Sequence, residues 1–572
     1  MAADAGDGAG SEAPDRSPGR RWWLFAAAMV VALAVVVGVV VAVVPDAEPA
    51  APRNRVTEAL ATASSWLRAW ETDDRDALRA LLAGQGDRAE LLTRTLDEVG
   101  SLHPSRVLGV AGFPVVHGAG ADVPFEVELE LPGLGPWRYQ GSIPLVDVEV
   151  DDDGDRERQW RVDFSPAVMH PEMQDGDDLE LDVAWSPRGV LRAADGTPLP
   201  AGHALGTVLG AVGRASAAQA EALGPPYRTG DLVGQSGLQA TYERELAGTP
   251  AAELRLVHQD AAAEVVATFA AHPGQDVQTT LDLAVQRAAE DALGTEGPSG
   301  AMVVIRPSTG GIVAVANRPR DGFSRALLGR YAPGSTFKVI TTLALLQKGV
   351  TPDTRIDCPK DITVNGRTIA NAENEELGNI SFRDAFAHSC NTAFIGLAQQ
   401  LSSGELLDAA KAFGFNSDLR SGASLPRSEV PEPRGTVDLV SAAIGQSRIQ
   451  VTPLQMASVA ATVANGGYRM PHFVDRPDNT GSTPLPAGTA ATLQALMRLV
   501  VTDGTGKRAA VGGAPVSGKT GTAEFGTSSP PHTHAWFISF RGDLATAVIV
   551  EDGGFGGEVA APITAGFYQR IG

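Results

Sequence analysis

Hydrophobic residues change their spacing several times along this chain, and each change marks an element. Residues 22–44, WWLFAAAMVVALAVVVGVVVAVV, are uncharged throughout; as a helix they measure about 35 Å, enough to cross a bilayer. Val56, Leu60, Ala63, Leu67 and Trp70 then recur at helical spacing, and shorter helical patterns continue to about Val99. The period drops to two where Val123, Phe125, Val127, Leu129 and Leu131 alternate with Pro124 and three glutamates, and again at Trp160, Val162 and Phe164. Helices followed by a strand meander predict a small α+β domain. Between Pro166 and Gln275 no period is sustained, which predicts a loop/β-rich pedestal or dimerisation-type domain. The rest opens with a helical pattern between Leu281 and Leu293 and a hairpin, AMVVIRPSTGGIVAVAN, and closes with a second hairpin from HAWFISF and TAVIVED. Helices fill the interval, so strands distant in sequence must share one sheet.

The flanks of the apolar run orient it. Arg16, Arg20 and Arg21 crowd its N-terminal side, whereas Asp46 and Glu48 come after it, so the tail stays in the cytoplasm and the bulk lies outside. A cleaved signal peptide is the alternative, but its apolar core is shorter and a small-residue cleavage site follows it. The expected organisation is a tail (1–21), a single-pass plasma-membrane anchor (22–44), a linker (45–55), the α+β domain (56–165), the pedestal (166–275) and a C-terminal domain (276–572). The formal net charge of -22 excludes nucleic acid as a partner, because a phosphate backbone is repelled. The acidic run Asp151-Asp152-Asp153-Gly154-Asp155 puts Trp160 where a calcium loop needs its bidentate glutamate, so it reads as a hairpin tip.

Candidate chemistry sits in the C-terminal block. In YAPGSTFKVITTLALLQKG, Pro333-Gly334 forms a turn and an amphipathic helix begins at Ser335, so Ser335 and Lys338 lie one turn apart at a helix N-terminus. The helix dipole and burial both push a lysine pKa down there, and a neutral amine beside a hydroxyl makes a serine nucleophilic. Ser389-Cys390-Asn391 comes next, supplying a hydroxyl for proton relay and an amide for a substrate carbonyl. GAPVSGKT, residues 513–520, satisfies the phosphate-loop pattern. A phosphate loop needs a strand before it and a helix after it, but here the preceding residues are broken by Gly and Pro, and no helical period comes after. The segment reads as a strand on which Lys519 and Thr520 bind a carboxylate. Gly234 to Gly237, GQSG, misses the nucleophile-elbow pattern, leaving Ser236 structural.

SxxK, SxN and KTG in this order resemble the penicillin-recognising serine acyltransferases. YAPGSTFK, FAHSCNTAF, GQSRIQVTPLQMA, VSGKTGTAE and HAWFISF are similar to class B penicillin-binding proteins, the monofunctional transpeptidases of bacterial peptidoglycan synthesis, and the likeness covers 276–572. WRVDFSPAVMHPEMQDGD resembles the end of the nuclear-transport-factor-like N-terminal domain of the methicillin-resistance type. Nothing in residues 45–275 resembles a glycosyltransferase domain.

The resemblance implies an α/β transpeptidase fold, an antiparallel sheet with helices, with no cofactor and no metal. Ser335 attacks the penultimate D-Ala carbonyl of a stem peptide; Lys338 takes the proton, or Ser389 relays it. The backbone N–H groups of Ser335 and Thr522 form the oxyanion hole, Asn391 orients the acyl amide, and Lys519 and Thr520, followed by Gly521 and Thr522, hold the terminal carboxylate. β-Lactams imitate the first step, and a separate membrane glycosyltransferase is the implied partner.

Other readings stay open. A serine β-lactamase-like hydrolase or D,D-carboxypeptidase uses the same acylation residues; however, ENEELGN precedes SxN and lacks the class A glutamate spacing, and class D's SxV is replaced. A β-lactam sensor or idle scaffold is the reading from another class, opposed by intact Ser335, Lys338 and Lys519. Cys358 and Cys390 are the only cysteines: a disulfide ranks first, then two free thiols, then a zinc site with His388 or Asp357. His532 and His534 read as edge residues.

Overall fold

The structure, a computed structural model, describes residues 53–152, 155–199, 205–259, 262–320, 322–419, 425–528 and 531–572. The run expected to anchor the chain, 22–44, lies outside the described residues; among those described, no helix is long and apolar enough to cross a membrane.

The chain divides into two units. The first comprises residues 53–97, Arg106–Glu128 and Arg138–Asp175. Helix α1 (Arg53–Glu71) buries Ala59, Ala63, Trp66 and Trp70. The expected face is largely inward, Ala63, Leu67 and Trp70 being buried, with Val56 and Leu60 half-buried nearer the helix start and Trp66, outside the expected pattern, adding a second buried indole. Trp66 meets Phe164 at 5.8 Å, and Trp70 meets Phe125 edge-on at 6.1 Å. Two further helices, α2 (Arg75–Ala80) and α3 (Asp87–Ser101), precede five strands. These are β1 (Ser105–Val110), β2 (Val115–His117), β3 (Gly120–Leu131), β4 (Gly135–Asp152) and β5 (Asp155–Val162), in the order β1-β3-β4-β5 with β2 also on β3. Alternation in β3 buries Val123, Phe125, Val127, Leu129 and Leu131, as the period-two pattern requires. β4 and β5 pair antiparallel as far as Asp152 and Asp155, while residues 153–154 of the acidic run lie outside the described residues.

The second unit contains Gly176–Gly572. Its first part is more regular than expected: β6 (Asp178–Ala184), β7 (Ala251–Val257) and β8 (Glu264–Phe269) form an antiparallel sheet in the order β8-β7-β6. β7 buries Ala252, Leu254 and Leu256 in strict alternation. Its partner β6 lies far away in sequence, so no hairpin signal announces the pair. Beside this sheet Arg188 holds Glu243 bidentately at 2.8 and 2.6 Å, and the Gly234 N–H donates to the same carboxylate at 2.7 Å. Ser236 accepts the Ala211 N–H at 3.3 Å, a structural task.

The C-terminal part is built on a five-stranded antiparallel sheet. Its strands are β9 (Gly300–Ile305), β10 (Ile312–Arg318), β13 (Ser517–Phe525), β14 (His532–Arg541) and β15 (Leu544–Val550), in the order β10-β9-β15-β14-β13. The two ends of the block therefore meet in one sheet, and β13 is an edge. His532 and His534, expected on an edge, lie instead on the inner strand β14. One face carries α4 (Leu283–Leu293) and α11 (Ala560–Arg570); the other carries α9 (Pro453–Asn465). Between β10 and β13 also lie α5 (Lys338–Gln347), the hairpin β11 (Asp361–Val364) and β12 (Arg367–Ala370), α6 (Phe382–Ala387), α7 (Asn391–Ala398), α8 (Thr436–Ala443) and α10 (Thr489–Thr502). Helix α5 was expected to be amphipathic, but every residue from Lys338 to Leu345 is buried. It is a central helix, with helices on the side where water was expected.

Glu243 is 3 % exposed, and removing one partner of a buried ion pair strands the other charge. Glu243→Ala should therefore lower denaturant stability by about 3–5 kcal/mol, whereas the double replacement Arg188→Met with Glu243→Leu should recover most of the loss.

Candidate active site

Ser335 sits in a 3-10 turn, Gly334–Phe337, that runs directly into α5. The α-helix thus starts at Lys338 and not at Ser335, because the turn is pinned from outside. The Gly334 N–H donates to the Gly445 carbonyl at 3.0 Å, the Trp536 indole N–H to the Ala332 carbonyl at 3.1 Å, and the Thr336 hydroxyl to the Pro333 carbonyl at 2.6 Å. A Cβ on Gly334 would lie 2.7 Å from the Thr522 carbonyl oxygen, so glycine is what lets the turn lie against β13. Ser335 itself is half-exposed, and its N–H belongs to the first turn, where helix geometry leaves donors free.

Lys338 and Lys519 are both completely buried. Lys338 Nζ donates to the Ser389 carbonyl at 2.5 Å and to Asn391 Oδ1 at 2.7 Å, with Ser389 Oγ at 3.3 Å. Lys519 Nζ donates to Ser389 Oγ at 2.9 Å. One hydroxyl is therefore shared by two amines that come from α5 and β13. Phe394 and Phe386 cover them, with ring centres 5.1 and 5.7 Å from Lys338 Nζ and Lys519 Nζ respectively. Neither lysine has a carboxylate partner among the described residues. Desolvation, then repulsion from Lys519, holds the Lys338 pKa well below the ordinary lysine range. Desolvation lowers Lys519 to about 7.

Ser389 links α6 to α7 with φ of 60°, a left-handed conformation uncommon for serine; it aims the hydroxyl at both amines. Asn391 opens α7, and its Nδ2 donates to the Ala370 carbonyl at 3.3 Å at the end of the β11–β12 hairpin. Cys390 between them is bonded to Cys358, and no cysteine is free.

Lys519, Thr520, Gly521 and Thr522 lie within β13, paired residue by residue with β14. They form a strand and no phosphate loop. Thr520 Oγ1 is 2.6 Å from the hydroxyl of Thr505, which lies just beyond α10. Nothing in the sequence singles out Thr505, because GTGK there has only the character of a turn. Gly521 also serves packing: a Cβ would lie 2.8 Å from Thr336 and 3.0 Å from the Pro333 carbonyl, so its absence lets β13 reach the Ser335 turn. The structure thus brings Ser335, Lys338, Ser389, Asn391, Lys519, Thr520 and Thr522 around the middle of β13. His532 is bound to Asp552 at 2.9 Å, and His534 stacks on Phe525 at 4.0 Å.

Comparison with known proteins adds independent findings. Residues 300–569 match the penicillin binding protein transpeptidase domain, and 198–279 match the penicillin-binding protein dimerisation domain. Peptidoglycan D,D-transpeptidase PbpA of Mycolicibacterium smegmatis is 36 % identical over 354 residues, 51 % of this chain and 71 % of that protein. Its namesake in Mycobacterium tuberculosis is 34 % identical over 357 residues, again 51 % and 71 %. Among solved structures, the ceftriaxone acyl-enzyme of penicillin-binding protein A from M. tuberculosis has a TM-score of 0.53 at 25 % identity, covering 68 % of this chain and 98 % of that one. A structure describing coordination of polymerization and crosslinking by a peptidoglycan synthase complex reaches 0.59 at 25 % identity, covering 69 % and 92 %.

The Cys358–Cys390 bond spans 32 residues of sequence. Replacing both cysteines by serine should cost roughly 3 to 4 kcal/mol in the chain-entropy account of cross-links, read as a lower unfolding midpoint under oxidising conditions that matches the wild type under reducing ones.

Proposed function

The chain belongs to the penicillin-binding protein transpeptidase family and is a peptidoglycan D,D-transpeptidase, and from that premise we propose how these residues carry the reaction. The supporting observation is that Ser389 Oγ lies within reach of two buried amines, one of them a turn away from Ser335. Ser335 Oγ attacks the penultimate D-Ala carbonyl of a donor stem peptide. Its proton passes to neutral Lys338, directly or through Ser389. The oxyanion is met by the N–H groups of Ser335 and Thr522. Asn391 orients the acyl amide, while Lys519, Thr520 and the added Thr505 hold the terminal carboxylate. D-Ala departs with the proton, leaving a Ser335 ester. An amine from a neighbouring stem then attacks that ester, the crosslink forms, and the proton returns to the Ser335 oxygen. A β-lactam opens on Ser335 in the same way, but its leaving amine stays tethered and the ester persists.

The setting is part of the same reading. Residues 22–44 anchor the chain in the plasma membrane with its N-terminus in the cytoplasm; the uncharged run and the arginines before it support this, and a disulfide suits an oxidising exterior. The first unit's helices and five-stranded sheet suit the nuclear-transport-factor-like domain that its last residues resemble. A separate membrane glycosyltransferase supplies the strands to be crosslinked; likeness to a chain from a structure on coordination of polymerization and crosslinking by a peptidoglycan synthase complex supports this.

Incubating the full chain with benzylpenicillin and following intact mass should show a lasting adduct that is absent in Ser335→Ala. Drug consumed without a lasting adduct would point to a hydrolase. Lys338 must be neutral and Lys519 charged, so acylation efficiency should fall in acid as Lys338 gains a proton. It should fall again above about pH 7, where Lys519 loses its own. In Lys519→Arg, which keeps its charge, the alkaline limb should vanish.

A further inference from the structure

Asn371 takes no part in the chemistry described above, yet it is a buried amide, 6 % exposed, placed against the segment that carries Asn391. Its Nδ2 donates to the carbonyls of Pro359 and Glu375, both at 2.8 Å, and its Oδ1 accepts the N–H of Thr392 at 3.0 Å. Thr392 is the second residue of α7. Its N–H is one of the donors that a helix N-terminus leaves without an intrahelical partner, and here the partner comes from a distant loop. The Thr392 hydroxyl donates to the same Pro359 carbonyl at 2.8 Å. Cys390 caps the next donor, accepting the Ala393 N–H on its sulfur at 3.3 Å. The first turn of α7, with Asn391 at its head, is therefore fixed from outside by Asn371. The preceding residue completes the grip, because the Ala370 carbonyl accepts one hydrogen of Asn391 Nδ2 and Lys338 donates to Asn391 Oδ1. One N–H of Asn391 remains for a ligand, in a direction set by residues 370 and 371.

We propose that Asn371 is a positioning residue for acylation: it caps α7 and thereby fixes the Asn391 amide in the orientation that receives the donor's acyl amide. This rests on the reading that Asn391 binds that amide. The loop from Pro359 to Glu375 is then more than cover for the disulfide. Removing the Asn371 side chain strands the Thr392 N–H and the Glu375 carbonyl and frees α7's first turn to rotate, while the Ser335 turn, held by Gly445 and Trp536, keeps its place. The loss should therefore fall on ligands that use Asn391 and spare those that do not.

Two β-lactams separate these cases. Benzylpenicillin carries an acylamino group beside the reactive ring; 6-aminopenicillanic acid lacks the acyl part. In the full chain, Asn371→Ala should slow acylation by benzylpenicillin about tenfold or more and by 6-aminopenicillanic acid less than about threefold, a difference in transition-state binding assigned to one contact. Asn391→Ala serves as the control and should show the same selectivity. Asn371→Asp retains an oxygen for the Thr392 N–H but sets its second oxygen against the Pro359 and Glu375 carbonyls, so it should recover only part of the benzylpenicillin rate and keep the same selectivity; it also keeps the test informative should the alanine variant not fold. Equal slowing with both drugs in Asn371→Ala and Asn371→Asp, or no slowing with either, would overturn the positioning role. If Asn391→Ala shows no selectivity, the reading of Asn391 fails instead, and the two failures are told apart.

Discussion

Two lysine amines buried without a counter-ion among the described residues are the constraint around which this site is organised. Leaving an ammonium unpaired in a desolvated interior costs several kcal/mol, and a second one nearby raises the cost. The molecule meets this with neutral acceptors: the Ser389 carbonyl, the Asn391 side-chain oxygen and the Thr520 carbonyl. Such partners suit either protonation state of an amine, whereas a carboxylate would lock it charged. Two phenylalanine faces favour charge on the amines, opposing desolvation, but exposure to water is absent, and desolvation leads the causes for both. Both amines are thus held below the ordinary lysine range, Lys519 at about 7, which readies the pair to exchange protons. A nucleophile that needs a base, and a leaving group that needs an acid, require the same property.

Holding such a pair in place takes a rigid frame, because each amine arrives on a different element. Lys338 comes from a helix buried on every side, Lys519 from the edge strand of the sheet, and Ser389 from a strained link between two short helices. The close approaches are made by residues without side chains. Gly334 lies under the Thr522 carbonyl, Gly521 over Thr336, and Gly445 against the Gly334 carbonyl, where a Cβ would come within 1.9 Å. The disulfide and the Asn371 network hold the remaining side. Stability and reactivity are therefore linked: the same packing that excludes water from the amines also stores the left-handed serine.

Much of this could be read from the sequence, for reasons that differ by residue. Ser335 with Lys338, and Ser389 with Asn391, are local spacings, so the chemistry shows directly in the chain. Lys519 and Thr520 were separable from a phosphate loop because Gly and Pro break the residues before them and no helical period continues after them; the strand pairing of β13 agrees. The hairpins of the central sheet announce themselves by alternation. Features that stayed hidden depend on contacts between distant segments. Thr505 gains its meaning only beside Thr520, and Asn371 only beside Thr392. The full burial of α5 was hidden because its lysine and threonines look like a solvent face until other elements cover them. The β6–β7 pairing was missed despite a clear alternation in β7, since its partner lies elsewhere in the chain.

The chain contains only six lysines, which makes a direct test practical. Full-length protein labelled at the lysine ε-carbons, titrated by nuclear magnetic resonance, reads each amine separately, with Lys338→Ala and Lys519→Ala assigning the two buried signals. The account predicts that Lys338 and Lys519 titrate well below the ordinary lysine value of about 10.4, Lys519 near 7. Ordinary titrations of both amines would contradict the claim that burial supplies the base.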